Sequence, residues 1–463
     1  MADAPYFSAR RGNGRHGRNT PAKGSAQIPA SGASLDLAGR TGQMYGLSYA
    51  NGSCFKIAGR QPPAEEINFE DTKVAFRGVS TADLQIRHAL FWITAHPKLS
   101  AFMQKAAKWI MNHPRLAKIS GAEYLLGRTV FQTFCGGETL PQTSQTIKEI
   151  YRRSGLKTIL DYAVEGEKTE AGFRETLNQI IATIEAASAA KGLAPYVAVK
   201  VSGIVPADLL AKVQQHRQTG QEFPPQLAVQ WEDFLSRCEQ IIKRGALNEI
   251  NIFLDAEESW IQGAIDEMAL YFMRRYNKQR AVVQTAVQLY RTDRLAYLSD
   301  LISTAKQEDF QVGLKLVRGA YMEKERERAK RLGYPDPINP NKETTDCLYN
   351  EAITLCIQNI DVVTQFTVAS HNEQSALHTL KLMQRAGIAF NDQRIWFAQL
   401  MGMSDHISNH LSALGCNVCK YMPWGPLKDC LPYLLRRAEE NSSAGRQAPR
   451  ELRLVRKEIK RRF

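Results

Sequence analysis

The chain has 463 residues and a mass of 52.0 kDa, with hydrophobic residues at 44% and charged residues at 23%. Those are ordinary values for a globular chain with a sizeable core, and they exclude a disordered or fibrous protein. The net charge of +13 would suit nucleic acid, but residues 1–50 hold six Lys/Arg against two acids and residues 441–463 hold eight against two. The body between them is almost neutral, which argues against a nucleic-acid groove.

In chain order, residues 1–60 are rich in Gly, Ser, Ala and Arg (SARRGNGRHGRNTPAKGSAQ) and show no hydrophobic periodicity. Such a segment buries too little apolar surface to order itself. It reads either as a mitochondrial or plastid targeting segment or as a plain disordered tail, with residues 1–70 as its extent. Residues 71–156 read as a helical arm. LQIRHALFWITAHPKLSAFMQKAAKWIMNHPRLAKIS has helical spacing, broken at His96-Pro97 and His113-Pro114.

From residue 157 the pattern changes to short apolar, β-branched runs separated by longer helical stretches. The runs are 158–164, 196–203, 250–257, 281–290, 311–321, 366–372, 394–400 and 417–425. Continuous apolar runs are expected of parallel strands buried on both faces. Eight strand–helix repeats predict an α/β fold, a (β/α)8 TIM-type barrel over 157–445, with the N-terminal helical arm before it and a C-terminal lid helix closing it. No GxGxxG follows any strand, which argues against a doubly wound sheet.

The eight cysteines are spread thinly and suit a reducing compartment. Cys416 and Cys419 form one CxxC with no second pair at zinc spacing, so no metal site is expected. No apolar run reaches eighteen residues, so no transmembrane helix is expected.

Polar residues recur at the strand ends, where barrel enzymes build their sites: Lys200, Asp255 and Glu257, Gln284, Lys315 and Arg318, His371 and Asn372, and Tyr421. Singly, these are equally readable as N-caps and turn residues. After the last strand, PLKDCLPYLLRRAEENSS carries adjacent Arg436 and Arg437. Neighbours on a helix point about 100° apart, so the pair reads either as a solvated face or as guanidinium forks gripping a carboxylate. Residues 446–463 form a basic helix with Leu452, Val455, Ile459 and Phe463 near one face. That face would rest on an anionic membrane or dock on the barrel.

Taken together, GLKLVRGAYMEKER, FLDAEES, ASHNEQS, FAQLMGM and KYMPWGPLKDCLPYLLRRAEEN resemble the proline dehydrogenase family, in order and with matching spacing over about residues 70–463. YLLRRAEEN is similar to the eukaryotic, mitochondrial branch. The resemblance implies an FAD enzyme that oxidises L-proline to Δ1-pyrroline-5-carboxylate and passes electrons to ubiquinone or a related membrane acceptor. It implies peripheral membrane association on the matrix side of the inner mitochondrial membrane, and no nucleic-acid partner.

By position, it implies that Arg436 and Arg437 hold the substrate carboxylate with Lys200 as a third cation, and that Asp255 and Glu165 pair with those arginines. Tyr421, Leu400 and Tyr433 would wall the pyrrolidine ring. Ala256, Gln284, Lys315, Val317, Arg318, Gly319, Ala320, Ser370, His371 and Asn372 would contact the flavin, with Asp255 and Lys315 nearest the chemistry. Lys315 stands where bacterial members carry arginine and Ser370 where threonine is common. Tyrosine at 421 implies proline over hydroxyproline as substrate. The rival readings are a hydroxyproline dehydrogenase, a barrel-fold binding protein without catalysis, and a phosphate-binding barrel enzyme using the Arg318-Gly319 turn.

Overall fold

Eight parallel strands close into a barrel in the computed structural model of the chain, which describes residues 67–94, 130–164, 166–443 and 447–463, together with residues 96 and 105. All of these belong to the compact unit Arg60–Phe463. The other unit, Met1–Gly59, lies outside the described residues, and so does the expected targeting or disordered segment over residues 1–66.

The strands are β1 Lys157–Tyr162, β2 Tyr196–Val199, β3 Asn251–Leu254, β4 Val283–Gln288, β5 Gly313–Val317, β6 Gln365–Ala369, β7 Ile395–Leu400 and β8 Asn417–Trp424. Each pairs with its successor, and β1 closes on β8 from Lys157↔Cys419 to Tyr162↔Trp424. Each expected strand is present, and each is shorter than the apolar run that announced it. The second run, for example, ends at Val199 because Val201–Gly203 tightens into a 3-10 turn.

The apolar runs follow from the period of two along a strand. Leu160, Val197, Ile252, Val287, Leu316, Val368, Phe397 and Val418 face outward and join the large core beneath the helices. Each such side chain contributes roughly 2 kcal/mol by leaving water. Ile159, Tyr196, Ala198, Phe253, Trp396, Ala398 and Cys419 form a separate inner cluster. Tyr196 stacks on Phe253 at 4.6 Å between ring centres and meets Trp396 edge-on at 5.3 Å. The barrel is thus a packed plug, and polar side chains are left at its carboxyl-end rim.

The arm supplies helices Thr72–Ala75, Thr81–Thr94 and Leu140–Ser154. The second ends before His96-Pro97, as the break implies. His113-Pro114 lies outside the described residues. Leu140–Ser154 is held by a Thr139–Gln142 capping box and stopped by Gly155 at φ +69°. The lid helix, Leu427–Ser443, follows β8, and a C-terminal helix, Gln447–Arg462, follows that.

The C-terminal helix docks inside the molecule. Leu452, Leu454 and Val455 are buried against Ala75, Phe76, Leu84 and Phe91 of the arm, and Ile459 is partly buried with them. Of the four residues expected on a membrane-facing surface, only Phe463 is exposed, at 85%. The apolar face is consumed by the arm, and the membrane reading of that face is corrected accordingly. Two residues of the expected 1–70 segment pack on this body: Phe69 is buried, and Glu70 is gripped by Arg450 and Arg453 at 2.7 and 2.6 Å.

Candidate active site

Above the aromatic plug lies a cavity of about 600 Å³ at the carboxyl ends of the strands, within the range of small-molecule and cofactor sites. A larger space of about 930 Å³ lies on the barrel flank beside the arm, but none of the inner-cluster or rim residues lines it. The first is the candidate site. Its walls include Lys200, Asp255, Ala256, Lys315, Val317, Arg318, Gly319, Ala320, Ser370, His371, Asn372, Leu400, Tyr421, Tyr433 and Arg436. Eighteen residues were singled out for substrate, cofactor or chemistry, with Lys315 counted once. The topology gathers fifteen of them at one mouth.

A chain of ionisable groups crosses the cavity floor. Lys200 Nζ donates to Asp161 Oδ1 at 2.6 Å and lies 3.5 Å from the Tyr421 hydroxyl. That hydroxyl donates to Asp255 Oδ2 at 2.7 Å, and Asp255 Oδ1 accepts from Lys315 Nζ. Burial raises the Asp161 carboxyl above its ordinary range despite Lys200 beside it, and nearby Asp255 adds to the rise. Burial, then Asp161 and Asp255, push the Tyr421 phenol well above its usual value. Tyr421 therefore stays a neutral hydrogen-bond donor at any physiological pH.

Two residues have partners beyond those the resemblance implied. Lys200 was expected to be a cation for a ligand, but its charge is met from within by Asp161. Asp255 was expected to pair with lid arginines, and the partners described for it are Lys315 and Tyr421. Glu165 and the side chain of Arg437 lie outside the described residues.

Gln284 is corrected outright. It sits near the amino end of β4, where its amide donates to Ala281 O at 3.1 Å and to Gln365 Oε1 at 2.6 Å. It does not line the cavity. Gln288, four residues on and on the same strand face, does. The error is one of position along the strand, since both glutamines share the inward face. Asp161 was also missed. Its signal was a lone acid inside the apolar run KTILDY. Asn372 fulfils its plainer reading as well, capping helix Glu373–Arg385 through bonds from the Gln374 and Ser375 amides.

The residues fit a flavin. Gln288 donates to Glu257 O at 2.9 Å, while its Oε1 is buried with no hydrogen-bond partner among the described residues. An N–H-bearing ring edge would satisfy it. Gly319 has φ +136°, and a Cβ there would meet the Tyr290 ring at 2.3 Å, so only glycine lets the β5 backbone form this wall. Lys315, Arg318 and Lys342 supply cations suited to an electron-rich ring and a pyrophosphate. Arg318 is fixed by Asp346 at 2.7 Å, by Ser370 and Ser375, and by the Tyr349 ring 4.2 Å away. Among the described residues no cluster of His, Cys, Asp and Glu could hold a metal ion, and no helix is long and apolar enough to cross a membrane.

Behind the wall, helix Asp405–Ala413 is tied to the arm and to the C-terminal helix. Burial pushes the Asp405 carboxyl up, yet Arg87 of the arm and Lys420 of β8 overcome this and hold it well below the usual carboxylate range. Glu373 accepts from Arg450 and is 2.9 Å from His406 Nε2.

Comparison with known proteins agrees with this geometry. The family model described as proline dehydrogenase matches residues 143–450. The chain is 38% identical over 261 residues to "Proline dehydrogenase 1, mitochondrial" of Drosophila melanogaster, covering 53% of this chain and 38% of that one. It is 35% identical over 349 residues to "Carbapenem antibiotics biosynthesis protein CarD" of Pectobacterium carotovorum subsp. carotovorum, covering 75% and 88%. Among solved structures, proline utilization A of Bdellovibrio bacteriovorus inactivated by N-propargylglycine superposes with a TM-score of 0.65 at 17% identity, over 81% of this chain and 42% of that one. The chain thus spans less than half the length of the fly relative and of proline utilization A, and the structural likeness concerns the fold.

Proposed function

The chain belongs to the proline dehydrogenase family, and from that premise we propose that it oxidises L-proline to Δ1-pyrroline-5-carboxylate with FAD, passing the electrons to a quinone. The observation that carries the reading is the single cavity at the strand ends. It combines an apolar wall (Leu400, Tyr421, Tyr433), a guanidinium from the lid helix (Arg436) and the glycine-floored, cation-lined side formed by Val317–Ala320 and Ser370–Asn372.

A bound flavin supplies the acceptor for the hydride and holds the electron pair until it is passed on. The protein's part is placement. Arg436 grips the carboxylate at one end of a small substrate, which fixes the opposite ring carbon within the cavity. Leu400 and Tyr433 exclude water from the apolar ring. Asp255 orients Lys315, whose positive charge favours an electron-rich ring beside it. Tyr421 spends its hydroxyl on Asp255, so a substrate carrying an extra ring hydroxyl meets a filled position. This supports proline over 4-hydroxyproline.

The fly relative's name supports a mitochondrial address, and the matrix side of the inner membrane is the proposed place within it. On the exposed side of the C-terminal helix, Arg453, Arg456, Lys457, Lys460 and Arg461 offer an anionic surface a peripheral contact. The test of function is an absorption spectrum: flavin bands that bleach on adding L-proline. Well-folded protein that takes up no flavin, or flavin that L-proline leaves oxidised, would refute the reading. A reporter fused to residues 1–70 tests the address.

A further inference from the structure

The contacts behind the cavity wall lead from the C-terminal helix to a residue that faces the cavity. We propose that Ser404 and Glu451 are positioning residues for His371, so that the C-terminal helix sets the flavin-facing wall through one strained turn. The inference rests on the flavin reading of the cavity.

His371 follows β6 on a turn between Ser370 and Asn372, and it lines the cavity. A turn by itself leaves an imidazole free to rotate about two bonds. Here its Nδ1 lies 2.8 Å from Ser404 Oγ, which holds the ring plane. Ser404 is completely buried and has φ +50° and ψ 42°. That left-handed conformation is uncommon outside glycine, and for a serine it persists only where the surroundings over-determine it. The chief added restraint is Glu451. Its carboxylate accepts the Ser404 backbone N–H at 2.6 Å, although the two residues are 47 positions apart.

Glu451 is itself only 2% exposed. It lies 3.7 Å from His406 Nδ1 and close to the buried Arg87–Asp405–Lys420 cluster. A buried carboxylate needs such surroundings, because desolvating it without compensation is costly. Glu451 also falls one residue beyond the stretch that the family model matches. The flavin side of the site therefore depends on a part of this helix that lies beyond the matched stretch. The same turn begins helix Asp405–Ala413, with Ile407 N donating to Ser404 O at 3.0 Å. Ser404 consequently cannot swing without unwinding the helix start.

The experiment compares wild type with Ser404→Ala, Glu451→Ala, Glu451→Gln and Glu458→Gln. Glu458 is the other buried acid of the same helix and holds Arg461 and Arg462, so it controls for loss of helix docking alone. Each protein is stripped of flavin and titrated with FAD by flavin fluorescence. The spectrum of the bound flavin and the thermal melt are then recorded.

Ser404→Ala is expected to weaken FAD binding about fivefold, or about 1 kcal/mol at 1.4 kcal/mol per tenfold, and to shift the bound-flavin spectrum. Glu451→Ala should weaken it at least as much. Glu451→Gln, whose amide oxygen still accepts the Ser404 N–H, should stay within about twofold of wild type. Glu458→Gln should lower the melting temperature and leave FAD affinity unchanged. Wild-type affinity and spectrum in Ser404→Ala would overturn the proposal. So would a loss of FAD binding in Glu458→Gln equal to that in Glu451→Ala, which would make the helix merely structural. A wild-type chain that takes up no FAD would overturn the flavin reading and this inference with it, a result distinct from either.

Discussion

Replacing Asp161 by asparagine tests the buried pair at the base of the site. The substitution keeps the shape and removes the charge. It leaves the Lys200 ammonium, 10% exposed as a side chain, facing a neutral amide and a tyrosine hydroxyl 3.5 Å away. Removing one partner of a buried pair costs roughly 3–5 kcal/mol. Lys200 opens on a cavity that water reaches, which argues for the lower end, about 3 kcal/mol. With roughly 0.8 kcal/mol per kelvin of unfolding entropy for ~400 ordered residues, that lowers Tm by about 4 °C.

Lys200→Met leaves the opposite orphan. The carboxyl is already raised by burial, rises further without the cation, and escapes by taking a proton, so the cost is smaller, about 2 kcal/mol. The double variant removes both charges. Because burial outweighs Lys200 at Asp161, the pair contributes little net stability, and the double variant should fall within about 1 kcal/mol of wild type. Denaturant unfolding of the four proteins thus predicts a coupling of about 4 kcal/mol. Additive losses, within about 0.5 kcal/mol, would refute the reasoning.

Gly319→Ala combines a φ of +136° with a Cβ 2.3 Å from the Tyr290 ring, and should cost about 3 kcal/mol and most of the bound flavin; melting and FAD content measure both. Arg436→Met should raise KM for proline at least about tenfold while flavin stays bound, and steady-state kinetics with a near-normal KM would remove Arg436 from substrate binding. Docking of the C-terminal helix should weaken in acid. The Arg453 bond to Glu70 is the largest influence on that carboxyl, and it prevails over burial to bring the pKa down from 4.5 to about 2. At Glu458, burial acts upward but Arg461 and Arg462 prevail, again to about 2. Acids with depressed values stabilise the fold above their unfolded pKa and lose that contribution as pH falls through the folded one. Hydrogen-exchange protection of residues 447–462 should be flat above about pH 5 and fall between about 4.5 and 2; unchanged protection at pH 2 would show these pairs to be idle.

Much of the site was legible because a barrel puts every strand end at one mouth. Once eight strands are recognised, Lys200, Asp255, Lys315, His371 and Tyr421 must be neighbours, whatever their separation along the chain. Depth within a strand was harder to read. Gln284 and Gln288 share a face, and only the register, Gln284↔Gly313 against Gln288↔Val317, tells floor from rim. Asp161 looked like an anomaly in an apolar run until Lys200 on the next strand gave it a partner.

The sequence by itself determined the architecture, most of the rim residues and the family, since continuous apolar runs, turn glycines and local motifs are properties of neighbouring residues. Tertiary structure alone decided which charges answer one another. Asp161 with Lys200, Glu70 with Arg450 and Glu451 with the Ser404 amide are 39, 380 and 47 residues apart. The same holds for the C-terminal helix. Its apolar stripe is equally good for a membrane or for a partner helix, because hydrophobic burial has no direction of its own. What settled the matter was the arm, which brings Phe76, Leu84 and Phe91 to meet that stripe and leaves its basic side to the solvent.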